Sequence, residues 1–196
     1  MIYSTGDITA IIVAGGRSSR VDGRNQGLLT LHGKPLVQHV TEKLHSQVGQ
    51  VIINTNSELN RYRKLGYPVF SDNDTLFRGP LSGLVNANSL IKTPIIMTLP
   101  CDSPFIPNNL SERLIRSFNE NSEQIHVVFD GKQQNMFMMF HQKKLDSIDE
   151  YLNSGGRSIY GWIEQFSATN VDFTDQSECF LNINTLEELE CAHKPR

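Results

Sequence analysis

The sequence predicts an α/β protein: a Rossmann-like, mostly parallel sheet with helices on both faces and an antiparallel addition. Three observations lead there. Short apolar runs alternate with stretches of helical periodicity through the first hundred positions, the rhythm of a parallel sheet with crossover helices. The apolar run Ala10–Val13 passes without a break into a loop rich in glycine and arginine. Polar residues Asn54, Asp72 and Asp102 each stand just after a predicted strand, where open parallel sheets bind their ligands. At 196 residues the chain is one domain, long enough to bury a sizeable core.

After the loop, Leu28–Leu31 reads as a short strand turned at His32-Gly33, and Pro35 suits the first position of a helix. Leu36, Val37, Val40, Leu44 and Val48 recur at helical spacing. Gln50–Asn54 is the second strand, followed by a polar helix near Leu59–Leu65 that Gly66 ends. Pro68–Ser71 is a third strand; Gly79-Pro80-Leu81 opens a helix with Leu81, Leu84, Ala87 and Leu90/Ile91 on its apolar side. Pro94–Leu99 is the fourth strand.

The second half changes rhythm. Asn109 and Glu112 have the spacing of a capping box for a helix running to about Phe118. Ile125–Phe129 and Met136–His141 are strands joined through Asp130-Gly131, which predicts an antiparallel edge. Met136, Met138 and Met139 read as core filler. Helices near Leu145–Leu152 and Ile159–Phe166 flank Gly155-Gly156-Arg157. Strands at Thr169–Phe173 and Phe180–Ile183, and a helix capped by Thr185 with Glu188, complete the fold.

Composition excludes several classes. A net charge of −3 supplies no field for nucleic acid or an anionic membrane, so a basic site must be local. The amino terminus lacks a basic n-region, Asp7 interrupts its apolar character, and no stretch reads as a spanning helix. Three widely spaced cysteines suit a reducing cytosol, and a cytoplasmic location is expected. The histidines do not fall at metal-ligand spacing.

The chemistry is concentrated at the first loop. Residues 15–27 hold four glycines and three arginines. Glycine lets the main chain approach a ligand, and free N–H groups beside guanidinium groups cradle phosphate. The spacing is neither the dinucleotide fingerprint nor the P-loop, which needs a lysine that is absent here. Asp102 stands in Leu-Pro-Cys-Asp-Ser-Pro, between two prolines that fix the course of the loop. A carboxylate so placed suits Mg²⁺ bridging phosphate oxygens. Asp72 and Asp74 spell D-x-D, a pattern too short to be specific.

Ala14-Gly15-Gly16, Arg20, Gly27-Leu-Leu and Gly33-Lys34-Pro35-Leu36 resemble the signature of the GT-A type nucleotidyltransferases, and within them the molybdenum cofactor guanylyltransferases. Pro-Cys-Asp-Ser-Pro, Gly79-Pro80-Leu81-Ser82-Gly83 and Phe180-Leu-Asn-Ile-Asn-Thr-Leu-Glu-Glu-Leu continue that resemblance in the family's order. It implies Mg²⁺-dependent transfer of GMP from GTP to molybdopterin, with pyrophosphate released. Recipient molybdoenzymes and other cofactor-biosynthesis proteins are the implied partners. It also implies residue roles. Asp102 is the metal ligand; Asp102 and Arg20 are catalytic. Val13, Ala14, Gly15, Gly16, Gln26, Asn54, Asp72, Gly79, Pro80 and Asp102 bind nucleotide. Arg157, Asn182 and Asn184 bind the acceptor, the two asparagines facing one side of a strand. On this division residues 8–107 serve the nucleotide and 108–192 the acceptor.

The chain departs from the family where it has Gln26 for a lysine, Asn25 for an acid and Asp22 for a glycine. Arg17, Arg20, Arg24 and Lys34 are the cations available to compensate. Two alternatives stay open: a relative using CTP, and a degenerate copy that binds nucleotide or cofactor without turnover.

Overall fold

The computed structural model describes residues 2–15, 20–21, 24–72 and 79–193, with the side chains of Arg20, Val21 and Arg24 set aside. Seven strands form one sheet: β1 (Ile8–Val13), β2 (Gln50–Asn54), β3 (Val69–Phe70), β4 (Ile95–Pro100), β5 (Ile125–Phe129), β6 (Gln133–His141) and β7 (Ala168–Asp172). Their order is β7-β5-β6-β4-β1-β2-β3. β1 pairs in parallel with β2 and β4, β2 with β3, and β5 with β7. β6 alone is reversed, pairing antiparallel with both β4 and β5. The predicted antiparallel edge is thus an internal strand. A hairpin brings β6 back beside β5, and β6 then takes the free edge of β4 while β7 closes the other side of β5.

Alternation along β1 assigns the two layers. Ile8, Ala10 and Ile12 join a core with Val37, Val40 and Leu44 of α1 (Leu36–Leu44) and with Leu110, Leu114 and Phe118 of α4 (Leu110–Glu120). Ile11 and Val13 face the opposite core. There they meet Leu81 and Leu84 of α3 (Pro80–Asn86), Ile148 and Leu152 of α5 (Leu145–Asn153), and Trp162 of α6 (Ile159–Ile163). Each fully buried aliphatic or aromatic side chain contributes about 1.5–3 kcal/mol, and β1 is buried at all six positions. Met138 and Met139 are fully buried, as core filler should be. The short α2 (Leu59–Arg63) buries Tyr62, and Gly66 follows it at φ 82°.

Several boundaries move. Pro35 is the N-cap, and α1 begins at Leu36, because Pro35 is extended and pairs with Thr30 across the His32-Gly33 turn. Asn109 precedes α4 but its side chain makes no cap, so the expected box with Glu112 does not form. The Thr185–Glu188 box does form and starts α7 (Leu186–Ala192). Residues 181–184 are not a strand, since they pair with a loop and not with the sheet.

Candidate active site

The carboxyl ends of β1, β2, β3 and β4 lie at the same side of the sheet because these strands are parallel. The ladder runs on past the strands. Ala14 N donates to Asn54 O (2.8 Å), Cys101 N to Val13 O (3.2 Å) and Thr55 N to Phe70 O (2.9 Å). Val13, Ala14, Asn54, Asp72 and Asp102 are therefore gathered at one rim, as their strand-end positions require. Gly16, Arg17, Asp22 and Asp74 lie outside the described residues, as does the side chain of Arg20.

Asn54 is buried, and its amide stands between two glycine motifs distant in sequence. A Cβ at Gly83 would collide with the Asn54 amide, while one at Gly15 would meet Oδ1 at 3.4 Å. The amide nitrogen of Asn54 is buried without a hydrogen-bond partner among the described residues. Such a donor is costly unless a ligand completes it. Asp72 sits beside it: Asn56 Oδ1 accepts from the Asp72 N–H (3.1 Å), and Ser82 Oγ donates to Asp72 Oδ2 (2.6 Å). The other carboxylate oxygen of Asp72 is buried without a hydrogen-bond partner among the described residues. Gly79, at φ 90°, meets the main chain of residue 157: a Cβ there would lie 2.8 Å from Arg157 O. Pro80 is the first residue of α3.

Asp102 follows β4 and is 8% exposed. Burial pushes its carboxyl up to about 6; its own N–H opposes the shift and the charge of Glu188 adds to it. Oδ2 accepts from Gln26 Nε2 at 2.7 Å, while Oδ1 is buried with no hydrogen-bond partner among the described residues. The same Gln26 nitrogen lies 2.6 Å from Ile183 O and 3.2 Å from Asn184 Oδ1. All three neighbours are acceptors, which assigns the nitrogen of the amide to this side. Ile183 N donates to Asp102 O (2.9 Å), and Ser103 Oγ donates to Asn182 Oδ1. Residues 182–184 are thus fastened to residues 102–103 and to Gln26. Ile183 is buried while Asn182 and Asn184 are exposed, so the two asparagines share a side even without a strand.

Other expected residues are placed differently. The Arg157 guanidinium donates to Leu152 O (2.9 Å) and Gly156 O, folded onto its own turn. Asn25 is held by structure: Tyr62 Oη donates to its Oδ1 (2.6 Å), and its Nδ2 donates to Ser57 Oγ (2.9 Å). Lys34 pairs with Glu42 on the exposed side of α1 (2.8 Å), which engages one of the candidate compensating cations. Ser82, Ser103 and Asn56 were not singled out from sequence. The first two lie inside or beside quoted motifs, but a serine next to a motif has no pattern of its own.

No group of three or more His, Cys, Asp or Glu residues able to hold a metal occurs among the described residues. A divalent cation nonetheless fits Asp102. Its orphaned Oδ1 is a hard oxygen donor, and Mg²⁺ accepts one carboxylate with phosphates and water completing its shell. Among the described residues no helix is long and apolar enough to cross a membrane.

Comparison with known proteins agrees with this geometry. The MobA-like NTP transferase domain matches residues 10–168. A molybdenum cofactor guanylyltransferase of Cupriavidus taiwanensis is 39% identical, covering 97% of this chain and 98% of its own. One of Shewanella woodyi is 35% identical, covering 92% and 93%. Among solved structures, the molybdopterin-guanine dinucleotide biosynthesis protein A of Archaeoglobus fulgidus superposes with a TM-score of 0.74 at 19% identity, covering 95% and 96%. A 4-diphosphocytidyl-2C-methyl-D-erythritol synthase of Anaerococcus prevotii gives 0.72 at 13%, covering 96% and 95%, and shares the fold. A rim that joins Gly15, a buried Asn54 and a strand-end Asp102, in a sequence so similar over its whole length, has one reading: the chain is a nucleotidyltransferase and belongs to the MobA-like NTP transferase family.

Proposed function

We propose that the protein transfers GMP from GTP to molybdopterin, forming molybdopterin guanine dinucleotide and releasing pyrophosphate. The observation that supports this most is the buried Oδ1 of Asp102, without a partner among the described residues, at a strand end and tied to the 182–184 segment. Nucleotide and acceptor would then meet beside one carboxylate. The names of the relatives supply the acceptor and the base.

Main-chain groups of residues 13–15 and the loop after them hold the nucleotide phosphates. The amide nitrogen of Asn54 and the carboxylate oxygen of Asp72 that have no partner among the described residues bind the nucleoside. The exposed amides of Asn182 and Asn184 receive the pterin, whose many ring heteroatoms suit them. Arg157 is kept as an acceptor-phosphate residue; its guanidinium would first leave the carbonyls of Leu152 and Gly156. An oxygen of the acceptor's terminal phosphate attacks the α-phosphorus of GTP, a P–O bond forms, and the bond to the bridging oxygen breaks as pyrophosphate departs. The attacking phosphate is already ionised, so no side chain has to remove a proton. Mg²⁺ held by Asp102 would neutralise charge on the phosphate oxygens. Arg20 is the loop cation assigned to the same task. The setting is the cytoplasm, and recipient molybdoenzymes take the product.

Gln26 favours one competing reading. A neutral amide where the family has lysine suits a copy that binds nucleotide or cofactor without turnover. Purified protein with GTP or CTP, Mg²⁺ and molybdopterin decides between them. Dinucleotide formed with GTP supports the proposal; formation with CTP alone reassigns the base; binding of GTP without product favours the non-catalytic copy.

A further inference from the structure

Gln26 lies 76 residues from Asp102 and 157 from Ile183, yet one nitrogen joins them. A primary amide has two hydrogens, and three acceptors surround it. The two shorter contacts, to Asp102 Oδ2 at 2.7 Å and Ile183 O at 2.6 Å, use both. Asn184 Oδ1, at 3.2 Å, is the surplus acceptor. The amide is itself buried, so water does not readily replace either bond. We infer that Gln26 is a positioning residue for the metal carboxylate. By anchoring Oδ2 of Asp102 to the main chain of Ile183, it leaves Oδ1 as the oxygen that faces a cation.

A carboxylate rotates about its Cβ–Cγ bond through a broad, roughly two-fold well, and a hydrogen bond to one oxygen selects the orientation of the other. A hydrogen bond to the ionised form also favours that form, which is the one a divalent cation needs. An ammonium at the same place would add charge that competes with the cation; the neutral amide orients without competing. The inference rests on the reading of Asp102 as the metal ligand, and the test separates the two.

The experiment titrates Mn²⁺ into the GTP-loaded protein, with bound ion followed by electron paramagnetic resonance, and separately titrates GTP in EDTA, without divalent cation. Gln26→Met keeps the length of the side chain and removes its donors. It should raise the Kd for Mn²⁺ about tenfold, the lower end expected for a hydrogen bond to a charged group. Both amide hydrogens of Gln26 are spent within the protein, which leaves none for the nucleotide, so affinity for GTP without divalent cation should stay within about twofold. A merely structural role would move both constants. Should Gln26→Met fail to fold, Gln26→Asn retains an amide one methylene short of Asp102 and is read in the same way. Unchanged Mn²⁺ affinity, or equal losses for Mn²⁺ and GTP, would overturn the inference. Asp102→Asn is the control: if it binds Mn²⁺ as wild type does, the metal reading itself falls. If it is impaired while Gln26→Met is not, only the role of Gln26 falls.

Discussion

The amide of Asn54 fills the space in which a side chain at residue 83 would stand. Glycine is required there by a close approach and not by backbone conformation, since Gly83 lies within α3. Gly83→Ala should therefore overpack the site, at about 1–3 kcal/mol, and weaken GTP binding by displacing Asn54. Gly15→Ala meets the same amide at an ordinary 3.4 Å and should cost less in stability. Melting curves and GTP titrations of the two variants check this; equal effects would refute the distinction.

Asp102 predicts a pH dependence that can be read without any ligand. Its carboxyl is held at about 6, against 3.8 for an ordinary aspartate, so the folded protein keeps a proton that the unfolded chain has released. The stability this provides is complete below about pH 4 and is lost as the pH rises through about 6, on the order of 3 kcal/mol. Asp102→Asn, which cannot ionise, should melt several degrees above wild type at about pH 7.5 and lose that advantage near pH 4. It should also abolish transfer. Identical melting temperatures at both pH values would show that the carboxylate is not desolvated in solution.

A cation in place of Gln26 should stabilise the ligand-free protein. Gln26→Lys puts three N–H donors among three acceptors and a positive charge against Asp102. The gain expected from a charge-assisted bond is about 1.5–3 kcal/mol near neutral pH, shrinking as Asp102 takes up its proton. Thermal melts at about pH 7.5 and pH 4 test the size and its pH dependence. A destabilised variant at the higher pH would mean that the ammonium does not reach the carboxylate.

Asn182 and Ser103 should act as a pair. Ser103 Oγ donates to Asn182 Oδ1 beside Asp102, so either alanine variant releases the other partner. Each should weaken acceptor binding two- to tenfold, the range of a neutral hydrogen bond. The double variant should be little worse than the worse single one. Additive losses in a titration with molybdopterin would place the two residues in separate roles.

The sequence by itself determined most of the strands and helices and put Asn54, Asp72 and Asp102 at strand ends. The strands expected at Ala10–Val13, Gln50–Asn54 and Pro94–Leu99, observed as Ile8–Val13, Gln50–Asn54 and Ile95–Pro100, were legible because buried parallel strands are short apolar runs. Asn54, Asp72 and Asp102 were legible as strand-end residues because each stands at or just past such a run, the end at which open parallel sheets bind ligands. Tertiary structure alone decided the rest. The place of β6 between β4 and β5 depends on which sheet edge is free, and no local pattern encodes that. The expected strand at 180–183 gave way because its partners are Asp102 and Ser103, in a loop, and Gln26, in a short 3-10 helix, none of which belongs to the sheet. Gln26 could be recognised as a lost lysine, but not as the link between Asp102 and Ile183. A hydrogen bond is made or lost within a few tenths of an ångström, and that distance is set by the packing of segments far apart in the chain.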